Sequence, residues 1–377
     1  MILHPRDKWQ RAGLWLVDLL AAAGIGGVLL EKWGSAEPAT LQSLSAGTDD
    51  WNRYARHAVE IGGGALLIPS AGCPYAGPGG FLYNYFLGLL AGIGFQDVRV
   101  VWAVHAVCLW GAGWLFVRAF GAYVKTPPAR LLLSLGLWTC LLADYLPAYS
   151  WRLLSENLAV FLEGLWVYLL SFWDRKGYRQ GLGSASCLVL GLGALCRPQW
   201  LGFLPLFAAM AASGMRGVHK KYFPGFYASL LLMFLLSAGV AVRNTLLCGR
   251  GYFLPTEGVQ YAQEAMDLTP ATLLKKGAFI LGYLPALEPA YQIRPHWMLV
   301  WILWGWGLVQ GRRKILMNTW GKMVMVFIFY YILTLFFVDI TSYGYRYVLP
   351  IIPMLAGLGF ILIEDRRLTQ EPNINFI

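Results

Sequence analysis

The residues best suited to chemistry in this chain are carboxylates and arginines standing at the edges of long apolar runs. The stretch TDDWNRYARHAVEI opens with two adjacent acids, Asp49 and Asp50. Asp50, Tyr54, Ala58 and Ile61 follow at helical spacing, so they share one face of a short amphipathic helix. Thr48 or Asp49 can cap that helix and leave Asp50 in its first turn. A carboxylate there can merely favour the helix dipole, or it can take a proton from a hydroxyl as a general base. Glu156 stands at the start of a later apolar run, where it can orient an acceptor, orient a basic residue or simply begin a helix. Arg152, Arg197, Arg243 and Arg346 stand at similar edges, with Asn244 beside Arg243. Arginine keeps its charge when partly desolvated and grips carboxylate or phosphate through two parallel N–H bonds. Taken singly, each arginine reads as a snorkelling residue at the end of a membrane helix. Taken together, the acids and arginines make a base and an anion-holding set, provided the fold brings them to one side.

The rest of the chain supplies apolar helices to do this. Of 377 residues, 58% are hydrophobic and 13% charged, against roughly 25% charged in a soluble domain. The apolar residues fall into ten runs, at about 14–30, 98–120, 131–147, 157–173, 182–196, 200–212, 226–242, 297–309, 324–338 and 348–363. The fold class expected is an all-α polytopic membrane protein: one domain, 1–377, built as a bundle of about ten transmembrane helices with outer juxtamembrane helices. Several runs are shorter than the ~20 residues that usually cross a bilayer. The pair flanking Arg197-Pro198 fits a helical hairpin with a tight turn. The first run has no A-x-A cleavage site after it and reads as an uncleaved helix. The net charge of +10 comes from basic residues that punctuate apolar runs, which fits cytoplasmic anchors and not a nucleic-acid partner. The six cysteines fit no metal-ligand pattern. Cys108, Cys140 and Cys187 read as packing residues, and Cys73 and Cys248, in polar segments, as two free thiols in preference to a bridge.

The segment 81–95 decides the topology. Its fifteen residues would reach ~22 Å as a helix, at ~1.5 Å per residue, short of a ~30 Å hydrocarbon core. If it does not span, Arg118/Lys125/Arg130, Arg175/Lys176/Arg179, Arg216/Lys220/Lys221, Arg312/Arg313/Lys314 and Arg366/Arg367 all fall on the side of Arg6, Lys8 and Arg11. The positive-inside rule favours that arrangement. The expectation is therefore a multi-pass protein of the cell inner (plasma) membrane, with both termini cytoplasmic and 81–95 lying at the outer interface. The long polar segments 31–97 and 243–296, and the turns at 149–156, 196–199 and 342–346, then face outside, so the acids and arginines gather on one extracytoplasmic face. Inside the runs, Asp18 lies near the inner end of the first helix, and His105 reads as a core histidine with a local hydrogen bond. Glu163, seven residues after Glu156 and on roughly the same helix face, is expected to meet a polar cavity or a partner.

These stretches together resemble the lipid-dependent glycosyltransferases of the GT-C superfamily, in particular the protein mannosyltransferase and lipid A aminoarabinose transferase type. In that group an aspartate four residues before a tyrosine, with an alanine four further on, opens the first juxtamembrane helix, and Asp50, Tyr54 and Ala58 match it. The segment 77–95 is similar to the second juxtamembrane helix, with the usual double proline reduced to Pro78 followed by Gly79-Gly80. Ser155-Glu156-Asn157 resembles the second outer loop, GALCRPQWLGFLP the Arg-Pro turn, AVRNTLLCGRGYFLPTEG the segment leading into the large later loop, and YRYVLPIIPMLAG the Arg-Tyr-x-x-Pro ending at Arg346, Tyr347, Pro350 and Pro353.

The resemblance covers the chain to about residue 365. It implies transfer of a sugar from a polyprenyl-phosphate donor with inversion. Asp50 would be the general base, with Asp49 in reserve or as helix cap, and Glu156 an orienting acid. Arg197, Arg243 and Arg346 would bind the donor phosphate, and Tyr54, Trp51, Tyr83 and Asn244 the sugar or acceptor. No carboxylate cluster compels a metal site, although a divalent cation is compatible with the chemistry. The larger members carry an extracytoplasmic C-terminal domain that is not seen after Glu364-Asp365-Arg366-Arg367, which favours a lipid or glycolipid acceptor over a folded protein. The main alternative is a transporter or flippase of a lipid-linked or small anionic substrate, which would be expected to show an internal repeat. A non-catalytic scaffold would leave the outer acids and arginines unexplained.

Overall fold

The computed structural model describes residues 5–35, 39–47, 50–64, 81–148, 153, 155–176, 180–197, 200, 202–214, 223–248, 269–282, 294–310, 319–336 and 348–370. Among these residues every regular element is a helix, and the one β-bridge pairs Thr40 with Asp97. The helices are α1 (Pro5–Ser35), α2 (Leu41–Leu44), α3 (Asp50–Gly62), α4 (Phe81–Gly92), α5 (Val98–Gly121), α6 (Pro127–Ala148), α7 (Glu156–Arg175), α8 (Gln180–Cys196), α9 (Phe203–Gly214), α10 (Phe223–Cys248), α11 (Pro270–Ile280), α12 (Pro295–Gln310), α13 (Thr319–Phe336) and α14 (Ile351–Gln370).

Each of the ten apolar runs has a helix over most of its length. Among the described residues, four stretches are long and apolar enough to cross a membrane: Ala12–Ser35, Val98–Gly121, Pro127–Leu146 and Thr319–Phe336. Shorter apolar helices cover Gly181–Cys196, Phe226–Leu236 and Ile351–Glu364. The others fall short for identifiable reasons. α7 carries Glu156, Glu163, Asp174 and Arg175, and α9 has only 12 residues. Leu16, Leu19 and Leu20 on α1, Leu231, Leu232, Phe234 and Leu235 on α10, and Leu299 and Ile302 on α12 are exposed. Contiguous leucine and phenylalanine surface of this kind suits lipid, not water.

Small residues let the helices approach closely. A Cβ on Gly164 of α7 would sit 3.1 Å from the Ala112 carbonyl oxygen of α5, and one on Gly359 of α14 3.1 Å from the Trp304 nitrogen of α12. Close backbone approach of this type drives association where lipid removes the hydrophobic drive between helices. Around these contacts, Trp166, Trp200, Phe203 and Phe207 pack edge-on or tilted about one another and about Phe327 of α13.

Side-chain contacts sort the helix ends into two groups. At one end, the Tyr123 hydroxyl donates to Asp174 of α7 at 3.0 Å. Glu364 of α14 there accepts the backbone N–H groups of Lys125 and Thr126, at 3.0 and 2.6 Å. This carboxylate satisfies donors at the approach to α6 that the helix itself cannot. At the other end lie α3, α4, the start of α7, the end of α8 and the junction of α6 with α12. Two further buried polar residues bond across helices. Asp18 accepts the Trp138 indole N–H at 3.0 Å. His105 bonds through Nε2 to the Tyr83 hydroxyl at 2.9 Å. That partner is on α4 and not local in sequence as expected, because a helical histidine at a buried position reaches across to the neighbouring helix.

Segment 81–95 forms α4, which packs on α3. A Cβ on Gly88 would collide with the side chain of Ile61, and one on Gly62 would lie 2.8 Å from the Ala91 Cβ. Gly88→Val is therefore expected to destabilise the protein by ~1–3 kcal/mol through overpacking. Leu89→Val, on the exposed face of α4, is expected to change stability by no more than ~0.5 kcal/mol. Thermal unfolding of both variants in the same detergent checks the difference.

Candidate functional site

The site is built from the strapped helix pair α3–α4 set over one end of the bundle. Leu41 N donates to the Gln96 oxygen at 2.9 Å and Val98 N to the Ala39 oxygen at 3.1 Å, pinning 39–41 to the start of α5. Asp97 caps α5, and hydrogen bonds from the Arg99 side chain hold its carboxyl below the usual carboxylate range. The turn before α3 is clamped by α3 itself. Asn52 donates to the Leu44 oxygen at 2.6 Å, and the Arg56 guanidinium to the Ser45 and Gly47 oxygens, both at 3.2 Å. A Cβ at Gly47 would run into the Asn52 side chain, which is why glycine stands there.

The helix consequently starts at Asp50, in the first turn as the spacing predicts. Tyr54 and Ala58 are buried and Ile61 packs on Gly88, so the shared face is the inward one. The side chains of Asp50 and Trp51 lie outside the described residues, as do Thr48 and Asp49. Below that face, Tyr54 meets Tyr83 edge-on, with ring centroids 4.9 Å apart at 87°. Burial pushes the Tyr83 phenol well up, and Tyr54, Glu156 and Cys196 add to the effect. Tyr83 therefore stays a neutral donor and acceptor, and it senses the charge on Glu156.

Glu156 is the first residue of α7, and Arg197 follows the last residue of α8. Oε1 of Glu156 lies 2.5 Å from Nη2 of Arg197, with the side chains 3% and 6% exposed. The turn between the helices is closed further by Arg197 N donating to the Gly193 oxygen at 2.6 Å and by the Cys196 thiol against the Ser155 oxygen at 3.8 Å. Of the roles open to Glu156, the structure shows the holding of a basic residue. Arg197 is correspondingly engaged by a carboxylate.

The residue that sequence reasoning missed is Asp144. It is 1% exposed in the last turns of α6 and takes three donors: Arg294 Nη1 at 2.9 Å, His296 Nε2 at 3.0 Å and Trp297 Nε1 at 2.8 Å. The signal was an acid near the end of one apolar run and an Arg-x-His at the start of another. Standing inside the apolar run 131–147, it is not marked by spacing or by a neighbouring charge. Tyr145, the next residue, lies within electrostatic reach of Glu163, Asp144 and Arg197, so the two ionic groups belong to one region. Glu163 is fully buried, and neither of its oxygens has a hydrogen-bond partner among the described residues.

Other expected site residues fall elsewhere. Arg243 and Asn244 lie in the last turns of α10, which runs from the Trp173–Phe226 stack toward the site end, and their side chains lie outside the described residues. Arg152, Pro198, Arg346, Tyr347 and Cys73 lie outside them too, as does the Cys248 side chain. Cys108, Cys140, Cys187 and Cys196 are free thiols. Among the described residues no three His, Cys, Asp or Glu side chains converge as metal ligands. No family model, curated protein or solved structure matches the chain.

A buried ion pair is costly to break on one side only, by ~3–5 kcal/mol, because the surviving charge is left uncompensated. Glu156→Met and Arg197→Met are each expected to show that loss in thermal unfolding. The double variant is expected to recover part of it, giving a coupling energy above ~1 kcal/mol. Additive losses would mean that the two residues do not act as a unit.

Proposed function

We propose that the chain is a multi-pass membrane glycosyltransferase that moves a sugar from a polyprenyl-phosphate donor to an acceptor on the extracytoplasmic face. The observation that supports it is the convergence of Tyr54, Tyr83, Glu156 and Arg197 at the bundle end over which the Asp50 helix is strapped. These are residues that the GT-C resemblance assigns to one site. Lys125, Arg130, Arg175 and Lys176 cluster around the opposite end, which is the cytoplasmic end by the positive-inside rule.

In this reading Asp50 takes the proton of the acceptor hydroxyl, and the oxygen attacks the anomeric carbon from the face opposite the phosphate. Arg243 and Arg346 hold the departing phosphate, where preformed charge contributes most. Arg197, held rigid by Glu156, presents a further guanidinium edge to the same charge. Tyr83 and Tyr54, buried against one another, back the site beneath α3. The apolar outer surface of the bundle accommodates the prenyl chain, and the acceptor is a lipid or glycolipid. A transporter is the second reading, favoured by one observation: Glu163, buried in the middle of α7 with no hydrogen-bond partner among the described residues.

The test offers purified protein in lipid nanodiscs a panel of polyprenyl-phosphate sugars with membrane extract as acceptor source, and measures released polyprenyl phosphate. Wild type is expected to release it, Asp50→Asn to lose about 10²-fold or more, and Asp174→Asn at the opposite end to match wild type. Equal release by wild type and Asp50→Asn would take Asp50 out of the mechanism. No release by wild type with any donor would sink the transferase reading.

A further inference from the structure

Where α1 meets α5, the bundle holds a cation with no ion-pair partner among the described residues. Arg118 stands in the last turn of α5, at the end of the bundle marked by Lys125 and Glu364. Its guanidinium carbon lies over two indole rings, Trp15 of α1 and Trp114 of α5, 5.4 Å from each centroid. That is within the ~6 Å over which an aromatic face attracts a cation. The two rings fix a side chain that would otherwise swing freely at a helix end. Its Nε is buried, and among the described residues no carboxylate or carbonyl oxygen bonds to the guanidinium. Asp18 of α1 is a carboxylate within electrostatic reach, and its Oδ1 is taken by the Trp138 indole N–H at 3.0 Å.

The surroundings set the kind of anion that fits. Leu19 follows Trp15 by four residues and Val107 precedes Trp114 by seven, so each shares a helix face with its tryptophan. Both are exposed, as are Leu16 and Leu20. α1 starts at the Arg118 end and α5 finishes there, so both apolar faces lead from the guanidinium toward the middle of the bundle. A water-borne anion makes no use of such a surface, whereas a phosphate that carries acyl chains does. In the other direction the aromatic belt continues. Trp114 meets Tyr168 of α7 with ring centroids 6.1 Å apart, and Tyr168 stacks on Phe172. Arg175 and Lys176 each lie 5.6 Å from the Phe172 centroid. Asp174 beside them accepts from the Tyr123 hydroxyl at 3.0 Å, and Arg175 Nε donates to the Ser171 oxygen at 3.3 Å. These two cations are exposed, whereas Arg118 is half-buried and held on two rings.

We propose that Arg118, held between Trp15 and Trp114, binds the phosphate of an anionic phospholipid in the leaflet at this end, with the acyl chains along the exposed faces of α1 and α5. A guanidinium suits a phosphate because two of its N–H groups meet two oxygens at once. With Nε covered, the terminal Nη groups supply both. Aromatic rings around the cation keep water from competing for these bonds. The dipole at the end of α5 favours the cation and not the anion, so the phosphate is held by side chains. α1 is the least buried of the four long apolar helices, and a lipid that touches both Trp15 and Arg118 fastens it to α5. The site lies at the end of the bundle opposite Glu156 and Arg197, so it does not depend on the transferase reading.

Native mass spectrometry of the full chain in detergent, which counts bound lipids, tests it. Phosphatidylglycerol is the anionic probe, and phosphatidylcholine, whose phosphate carries its own cation, is the comparison. Wild type is expected to retain phosphatidylglycerol in preference. Arg118→Gln is expected to lower that affinity about tenfold or more, the loss of charge-assisted hydrogen bonds. Arg118→Lys, with the charge but no fork, is expected to fall between the two. Lys275→Gln, which removes an exposed charge on α11, is expected to match wild type. Equal losses in Arg118→Gln and Lys275→Gln would reduce the effect to net charge and overturn the site. So would a wild type that does not distinguish the two lipids, and displacement of the lipid by equimolar inorganic phosphate would leave only a free-anion site. A second measurement needs no variant. Phosphatidylglycerol with a diazirine near its glycerol is photocrosslinked to wild type in phosphatidylcholine nanodiscs. Labels on 12–20 of α1 and 107–118 of α5, competed by phosphatidylglycerol, are expected. Labels elsewhere, or labels that phosphatidylglycerol does not compete, would contradict the proposal.

Discussion

Burial of Glu156 against Arg197 is the constraint from which the architecture of the site end follows. The penalty for taking two ions out of water is several kcal/mol each, and it is offset only when the partners meet in good geometry. The start of α7 and the end of α8 are therefore bound to the same level of the bundle. Asp144 does the same for the end of α6 and the start of α12, with three donors on one carboxylate. The opposite end is secured differently, by Glu364 and Asp174 accepting from the α5–α6 turn. These carboxylates secure the two ends of the bundle, and close glycine contacts join α5 to α7 and α12 to α14.

The helix pair α3–α4 is fastened to the site end by hydrogen bonds to backbone carbonyls, not by ion pairs. The segment 39–41 is bonded to 96–98, and Asn52 and Arg56 reach back to the turn before α3. A short helix is marginal on its own. This one is set by its clamps and by the Tyr54, Ala58 and Ile61 face seated on α4. The consequence for function is positional. The first turn of α3, with Asp50 in it, cannot drift relative to Tyr83 without breaking several hydrogen bonds at once.

Much of this was legible in the sequence because it is periodic. The spacing of Tyr54, Ala58 and Ile61 gives the buried face of α3, and the ten apolar runs give ten of the helices. What periodicity does not carry is partnership between distant segments. The partner of His105 is Tyr83, and the donors to Asp144 are 150 or more residues away. Asp144 was hidden for a further reason. A single acid among leucines looks like the end of a span until the arginine, histidine and tryptophan that neutralise and bond it are placed. The count of crossings is less legible for a third reason. Helices such as α7 carry buried acids, and α9 is only 12 residues long, so hydropathy alone identifies four spans among the described residues.

The most direct measurement is photocrosslinking of the wild-type protein in nanodiscs with a polyprenyl-phosphate sugar analogue that carries a diazirine on the first isoprene unit, mapped by mass spectrometry. Labelling at α3, α4 and the residues around Glu156 and Arg197, competed away by unmodified donor, is the expected result. Labelling confined to the end marked by Lys125 and Glu364, or spread along the exposed leucines of α1 and α10 and not competed by donor, would contradict a donor site at the Glu156–Arg197 end of the bundle.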